Sequence, residues 1–319
     1  ESLVPLLGHL VERLEGYEDQ SRQRGVLDLS QAKQVNDTIS LAVAVCYAVS
    51  LMKLESATGK LYRMLELEHR RLRVEAAAAL ARLKEDTGIE TLVGLAEQPL
   101  VRLRVLSYAS ELGLLDRVDA QYRTASAQAE AELISRLAEQ SYYGVPPANC
   151  ELLDARELYW PGYENPVDCF LFEFRYQFPT SEESNIGIAG PITHCFAADL
   201  GALEIDDVYA AFAGWSAEHE EIGRVEIDHG NPAHAAEVAQ AEAALVQSGI
   251  EPLTAEFIGR FLGARVVVIS AQLNGMSGTA LVSGGEVGWL PQGNERRPIT
   301  PELAFDIFMG RQLLRTYNA

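Results

Sequence analysis

Cysteine is scarce: Cys46, Cys150, Cys169 and Cys195 are the only four in 319 residues, and no two stand in a CxxC spacing. A disulfide framework and a zinc ribbon are therefore not signalled, and buried thiols in a reducing compartment, the cytoplasm, are the expectation. Long apolar runs are missing too. The longest, Ile39 to Met52, is broken by Ser40, Tyr47 and Ser50, is short for a bilayer crossing and fits a buried helix. Basic residues are few: 26 Lys and Arg stand against 46 Asp and Glu, for a net charge of −20. The deficit is uneven, with 17 basic against 23 acidic residues in 1–155 (−6) and 9 against 23 in 156–319 (−14). Such a chain repels phosphate backbones and anionic headgroups, so nucleic acid and membranes are disfavoured and a basic protein partner is favoured. The same charge also serves solubility. The chain opens at Glu1, which leaves open a removed N-terminal segment or signal peptide.

The length points to two domains. Residues 1–147 read as helices throughout. Ser2 to Glu15 sets Leu3, Leu6, Leu7, Leu10 and Leu14 on one face. Asp37 or Thr38 can cap a helix running to about Leu54, and a last helix spans about Ala125 to Gln140. The polar stretch Gln20 to Lys33 reads as a loop. The strongest signal is a repeat: Leu72-Arg73 through Leu83 overlays Val101-Arg102 through Leu112, 29 residues further on. A shorter apolar helix precedes each copy, carried by Leu61, Met64 and Leu65 in one and by Leu92, Leu95 and Ala96 in the other.

This pattern resembles the HEAT repeat, in its PBS-lyase HEAT-like form, over about residues 57–113. The resemblance implies helical hairpins that bury their apolar faces by stacking, and it implies that Arg73 and Arg102 pair with acidic groups of neighbouring turns or repeats. It also implies a surface for holding a partner. Similar stacks occur in bilin lyases and in DNA alkylation glycosylases; the charge disfavours the second.

Tyr142-Tyr143-Gly144-Val145-Pro146-Pro147 ends the helical pattern and marks the expected boundary, with 148–319 as an acidic α+β domain built on a mainly antiparallel sheet. From Cys169 to Phe178 the period is two: Phe170, Phe172, Phe174, Tyr176 and Phe178 share one face, which helices are expected to cover. Pro191–Leu200, Asp206–Ile222, Asn231–Gln247 and Thr300–Arg315 read as helices. Ala255–Leu262, Arg265–Gln272, Thr279–Ser283 and Glu286–Leu290 read as strands, with Asn274-Gly275 and Gly284-Gly285 as turns.

Chemistry has few footholds. His194, His219, His229 and His234 cluster in the sequence, but none is spaced three or four from another, as neighbouring ligands on a helix are, so no metal is expected; if one binds, these are its ligands. Cys195 beside His194, or Cys169, is the candidate nucleophile, with no GxSxG or papain-like context. Asn185 to Pro191 suggests a strand entering a helix through a glycine turn, without a phosphate-binding Lys. No cofactor is expected. Tyr159, Trp160 and Tyr163 form either an aromatic platform or a seal over the sheet end. The reading these residues favour is a non-enzymatic scaffold or regulatory protein, in a special case an acidic inhibitor. It would bind a protein partner through Arg70, Arg71 and Arg104 on the helical stack, through Glu218, Glu220 and Glu221, and through the aromatic trio. The alternative is a lyase-like or hydrolase-like enzyme, or a small-molecule binder, with a pocket near Tyr142 to Tyr163.

Overall fold

The computed structural model describes residues 3–24, 29–217 and 220–318. It is α+β: a helical N-terminal region is followed by two antiparallel sheets with their helices. The chain divides into two compact units, Glu1–Ser135 and Arg136–Ala319, so Tyr142 to Pro147 falls within the second.

The first unit begins with α1 (Leu3–Arg24), α2 (Leu29–Leu51), α3 (Thr58–Leu65), α4 (Arg70–Arg82), α5 (Asp86–Gly94) and α6 (Pro99–Glu111), followed by α7 (Ala125–Leu137). In one layer α2 packs on α4 and α4 on α6, while α1 packs on α3 in the other. Small residues permit this spacing. The run from Ala76 to Ala81 in α4 is buried throughout, and a Cβ on Gly88 of α5 would lie 2.3 Å from Leu80 Cβ. The expected polar loop is largely helical instead, because α1 continues to Arg24 and α2 starts at Leu29; residues 25–28 lie outside those described. Thr38 does not cap a helix. It lies within α2 and donates to the carbonyl of Gln34 one turn earlier, a bond open to a mid-helix threonine. The apolar stretch also extends further than the sequence pattern suggested. Ala32–Leu51 is, by length and composition, sufficient to cross a membrane, although Ile39, Ala42, Val45, Cys46 and Val49 are buried in the helical core.

The second unit contains β1 (Asn149–Leu158), β2 (Val167–Gln177), β3 (Glu182–Ala189) and β4 (His194–Cys195), a meander closed by α8 (Ile205–Ser216). After β5 (Gly223–Glu226) and α9 (Pro232–Gln247) comes a second meander, β6 (Glu251–Phe261), β7 (Ala264–Leu273), β8 (Met276–Ser283) and β9 (Glu286–Pro291), closed by α10 (Pro301–Tyr317). Its three hairpin turns, Leu262-Gly263, Asn274-Gly275 and Gly284-Gly285, all have positive φ at both central residues, the primed geometry that matches strand twist. Asn231 and Thr300 cap α9 and α10 through their side-chain oxygens.

The two meanders share strand order and can be aligned on one rung. Across the first sheet Asp154, Leu171, Ile188 and His194 are successive partners, and across the second Phe257, Val268, Leu281 and Gly288 are. The closing helices match as well. A Cβ on Gly214 of α8 would lie 1.9 Å from the carbonyl oxygen of Asp306, and a Cβ on Gly310 of α10 would lie 1.8 Å from that of Ala210, so the helices touch backbone to backbone through reciprocal contacts. Arg156 lies over the Tyr209 ring, and in the matched places Gly259 lies against the Phe305 ring. The second unit therefore contains the same arrangement twice, a β-meander closed by a helix.

Helices α8 and α10 cover one face of the sheet, and the aromatic face of β2 is buried as well. Cys169 and Leu171 of β2 enter the core with α8 and α10, as do Val266 and Val268 of β7. The aromatic face of β2 is buried from Phe170 to Tyr176, with Tyr143 stacked on Tyr176 at 4.2 Å, while Phe178 is exposed. Pro191–Leu200 is not a helix. β4 pairs there with β3, and the buried Asn185 binds the segment: its amide donates to the carbonyls of Phe196 and Ala198, and its oxygen accepts from Leu200 N. One side chain thereby satisfies backbone groups that a helix would have paired internally. The turn at Gly190 leads from β3 into this strand, so no helix N-terminus follows it. α8 ends at Ser216, short of Ile222.

Candidate functional site

The repeat offset builds a polar ladder across α2, α4 and α6. Glu75 and Arg104 hold the same position in the two aligned segments, and so do Arg82 and Glu111; packing α4 beside α6 brings each pair together. Arg104 Nη1 lies 2.8 Å from Glu75 Oε1, and Tyr108 Oη donates to Glu75 Oε2 at 2.6 Å. Arg82 Nη2 reaches both carboxylate oxygens of Glu111, at 3.1 and 2.9 Å, and its guanidinium sits between the rings of Tyr47 and Tyr108, at 5.0 and 4.9 Å. Burial, then the bond to Glu75, pushes the Tyr108 hydroxyl up to about 12. Cys46 donates its S–H to the Glu75 carbonyl, and burial raises its thiol far above neutrality.

Other arginines divide by role. Arg102 is buried, ion-paired with Glu130 at 2.5 Å and bonded to the carbonyls of Ala96, Glu97 and Ala127, so it fastens α6 to the following helix. Arg73 makes no ion pair among the described residues. Arg70 and Arg71 are exposed at the start of α4 and make none either, whereas Arg104, half exposed, is engaged by Glu75. At that helix end Glu18 accepts the backbone N–H groups of Glu68 and His69, a carboxylate placed where the helix dipole favours it. Beside α6 lies a cavity of about 530 Å³ lined by Leu106, Ser107, Ser110, Leu115, Arg123 and Gln128 among others. The Arg123 Nε is buried and has no partner among the described residues.

In the second unit, His194 stacks on Trp215 at 4.0 Å and meets Phe196 and Phe212 edge-on. Its Nδ1 faces Tyr142 Oη at 3.4 Å. Burial, and then Arg136, lowers it to about 4, so it is neutral at pH 7. Burial raises the thiols of Cys169 and Cys195 to about 12 and about 11. Neither is a thiolate at neutral pH, which a nucleophile requires. His229 is exposed, and His234 accepts the backbone N–H of Asp228. His219 and Glu218 lie outside the described residues. Among the described residues no three His, Cys, Asp or Glu come together as a metal site. Glu220 and Glu221 are exposed. The aromatic trio separates: Tyr159 and Tyr163 are about half exposed, while Trp160 is buried, its Nε1 donating to Ser216 Oγ at 3.0 Å.

No family model, curated protein or solved structure matches this chain.

The ladder had a signal in the sequence, opposite charges at equal places 29 residues apart, that inspection of the repeat for apolar periodicity passes over. The Arg123 cavity had none, since its wall is assembled from α6, the turn after it and α7.

Proposed function

We propose that the chain is a non-enzymatic interaction protein whose N-terminal unit is a HEAT-like stack that holds a protein partner on its α2–α4–α6 side. The observation that carries this reading is the polar ladder itself. Tyr47, Arg82, Tyr108, Glu75, Arg104 and Glu111 fix one another across three helices, giving a preorganised surface that loses little side-chain entropy on association. Arg70 and Arg71 at one end and the Arg123 cavity at the other supply free donors for a partner's carboxylate or carbonyl groups. The acidic second half, at −14, would steer a partner that carries basic patches elsewhere on its surface. Protonated thiols and a neutral, aromatic-packed His194 support binding rather than nucleophilic chemistry.

The test is affinity capture from native lysate with mass spectrometry, using the full chain alongside an Arg70→Glu/Arg71→Glu/Arg123→Ala variant of equal stability. A specific protein retained by the parent and lost by the variant is expected. Retention of the same proteins by both would remove the helical side from consideration, and turnover of a small molecule by the purified chain would overturn the non-enzymatic reading.

A further inference from the structure

The two halves of the second unit differ at one matched place. In the first half, the groove between the closing helix and the end of the sheet is filled from within. The loop from β1 to β2, residues 159–166, carries Trp160, whose buried indole joins the core cluster and bonds Ser216 at the end of α8. His194 on β4 adds a second ring, stacked on Trp215. The matched residues of the second half leave the same place open. Its β6–β7 turn is only Leu262-Gly263, too short to carry a counterpart of Trp160. His194 is matched by Gly288, Trp215 by Arg311 and Ser216 by Gln312. Arg311 binds Asp207 through Nε and Nη2, at 2.6 and 2.7 Å, and forms part of the rim. What remains is a cavity of about 450 Å³ with Phe261, Leu281, Gly288 and Phe308 as its apolar wall and Glu286, Arg311 and Gln312 among its polar lining.

We propose that this groove receives a tryptophan side chain presented by a partner protein, in the way the first half receives its own Trp160. The inference rests on the reading of the chain as an interaction protein and names the partner's anchoring group. The first half shows the chemistry the architecture accepts: an indole laid against the closing helix, with its N–H satisfied by a polar side chain at the position of Ser216. In the second half Gln312 brings an amide oxygen to that position, already accepting from Arg315 and with a second lone pair to offer. The apolar walls supply the burial that makes tryptophan a dominant anchor at interfaces. Gly288 is the key omission. A Cβ there would have nothing closer than 3.7 Å, so the groove is open because a side chain is absent, not because the backbone forbids one.

The probes are indole, 1-methylindole and N-acetyl-tryptophanamide, titrated into the full chain and followed by the methyl resonances of Leu262, Ala264 and Leu281. Saturable shifts confined to these methyls are expected with indole, and the blocked amino acid should bind at least as well because a peptide-borne tryptophan carries the same flanking amides. Loss of the N–H in 1-methylindole should weaken binding about fivefold, the worth of one hydrogen bond. Gly288→Phe, which fills the groove, should weaken every probe at least tenfold while leaving the melting temperature of the second unit unchanged or raised; Gly288→Ala should not. Shifts that fail to saturate, or that persist undiminished in a folded Gly288→Phe chain, overturn the proposal. Binding of indole with exclusion of N-acetyl-tryptophanamide also overturns it, since the occupant would then be a free small molecule. Failure here with partner capture still dependent on Arg70, Arg71 and Arg123 would leave the interaction reading standing and remove only the tryptophan.

Discussion

Glu75 and Arg104 occupy the same position in consecutive repeats and are bonded to each other, Oε1 to Nη1, at 2.8 Å. The carboxylate is almost fully buried and the guanidinium half exposed, so the pair is held from the inside, with Tyr108 as the second donor.

Removing that carboxylate should therefore cost more than removing its cation. Glu75→Ala leaves the partly buried Tyr108 hydroxyl without its acceptor and opens a gap at a buried position, and is expected to destabilise the first unit by about 1–3 kcal/mol. The coupling of Glu75 with Arg104 in a double-mutant cycle should be about 0.5–1 kcal/mol, because solvent screens the exposed partner. Urea denaturation followed by helical ellipticity measures both, and a coupling near zero would show that the ladder is decorative.

The glycine crossing of α8 and α10 should tolerate nothing larger. Gly214→Ala and Gly310→Ala each drive a Cβ into a backbone carbonyl, which cannot rotate away, and should destabilise the second unit by at least about 1–3 kcal/mol. All three tryptophans, Trp160, Trp215 and Trp289, belong to that unit, so their fluorescence reports its unfolding alone. A fluorescence midpoint unchanged in either variant would contradict the crossing.

Deleting the internal plug should create a second groove. Trp160→Ala is expected to lose about 3–5 kcal/mol, and part of the loss should return on adding millimolar indole, since a ligand bound only by the native state stabilises it by mass action. Thermal melts with and without indole decide this. Equal recovery in a chain with Trp160 intact would mean the indole acts elsewhere.

Acid should weaken the second unit through His194. Unfolded His194 protonates near 6.5, whereas in the fold burial holds it to about 4. Its contribution is thus fully present above 6.5 and is lost as pH falls through the interval between the two values. The fluorescence-detected urea midpoint should drop from pH 7 to pH 4.5, and His194→Gln should drop less over the same range. Parallel curves for the two proteins would show that His194 is not the group taking up the proton.

What the sequence discloses and what it conceals divide along physical lines. The 29-residue repeat, the period-two run of β2, the paired glycine turns and the Asn231 and Thr300 caps are local patterns, and local patterns survive translation into structure. Pro191–Leu200 misleads because its backbone is satisfied by Asn185, an outside partner no window of sequence reveals. β1 escapes notice because it is a mostly exposed edge strand with a bulge at Leu153, so alternation is lost. The repeated arrangement is hidden because the halves share little beyond Phe212 with Phe308 and Gly214 with Gly310, and the matched hairpin loops differ in length. Of the residues first assigned to binding, Arg70 and Arg71 emerge exposed, Arg104 is engaged by Glu75, and Trp160 is enclosed.

The reciprocity of the α8–α10 crossing has a consequence for assembly. Contacts in which residue i meets j while the equivalent of i meets the equivalent of j are those that identical subunits make across a two-fold axis. Here both partners belong to one polypeptide, so the pairing holds at any dilution, as association within one chain does. Covalent tethering also lifts the requirement that both sides stay alike. A homodimer must close or open both grooves together, whereas a fused pair can seal one with its own indole and keep the other vacant.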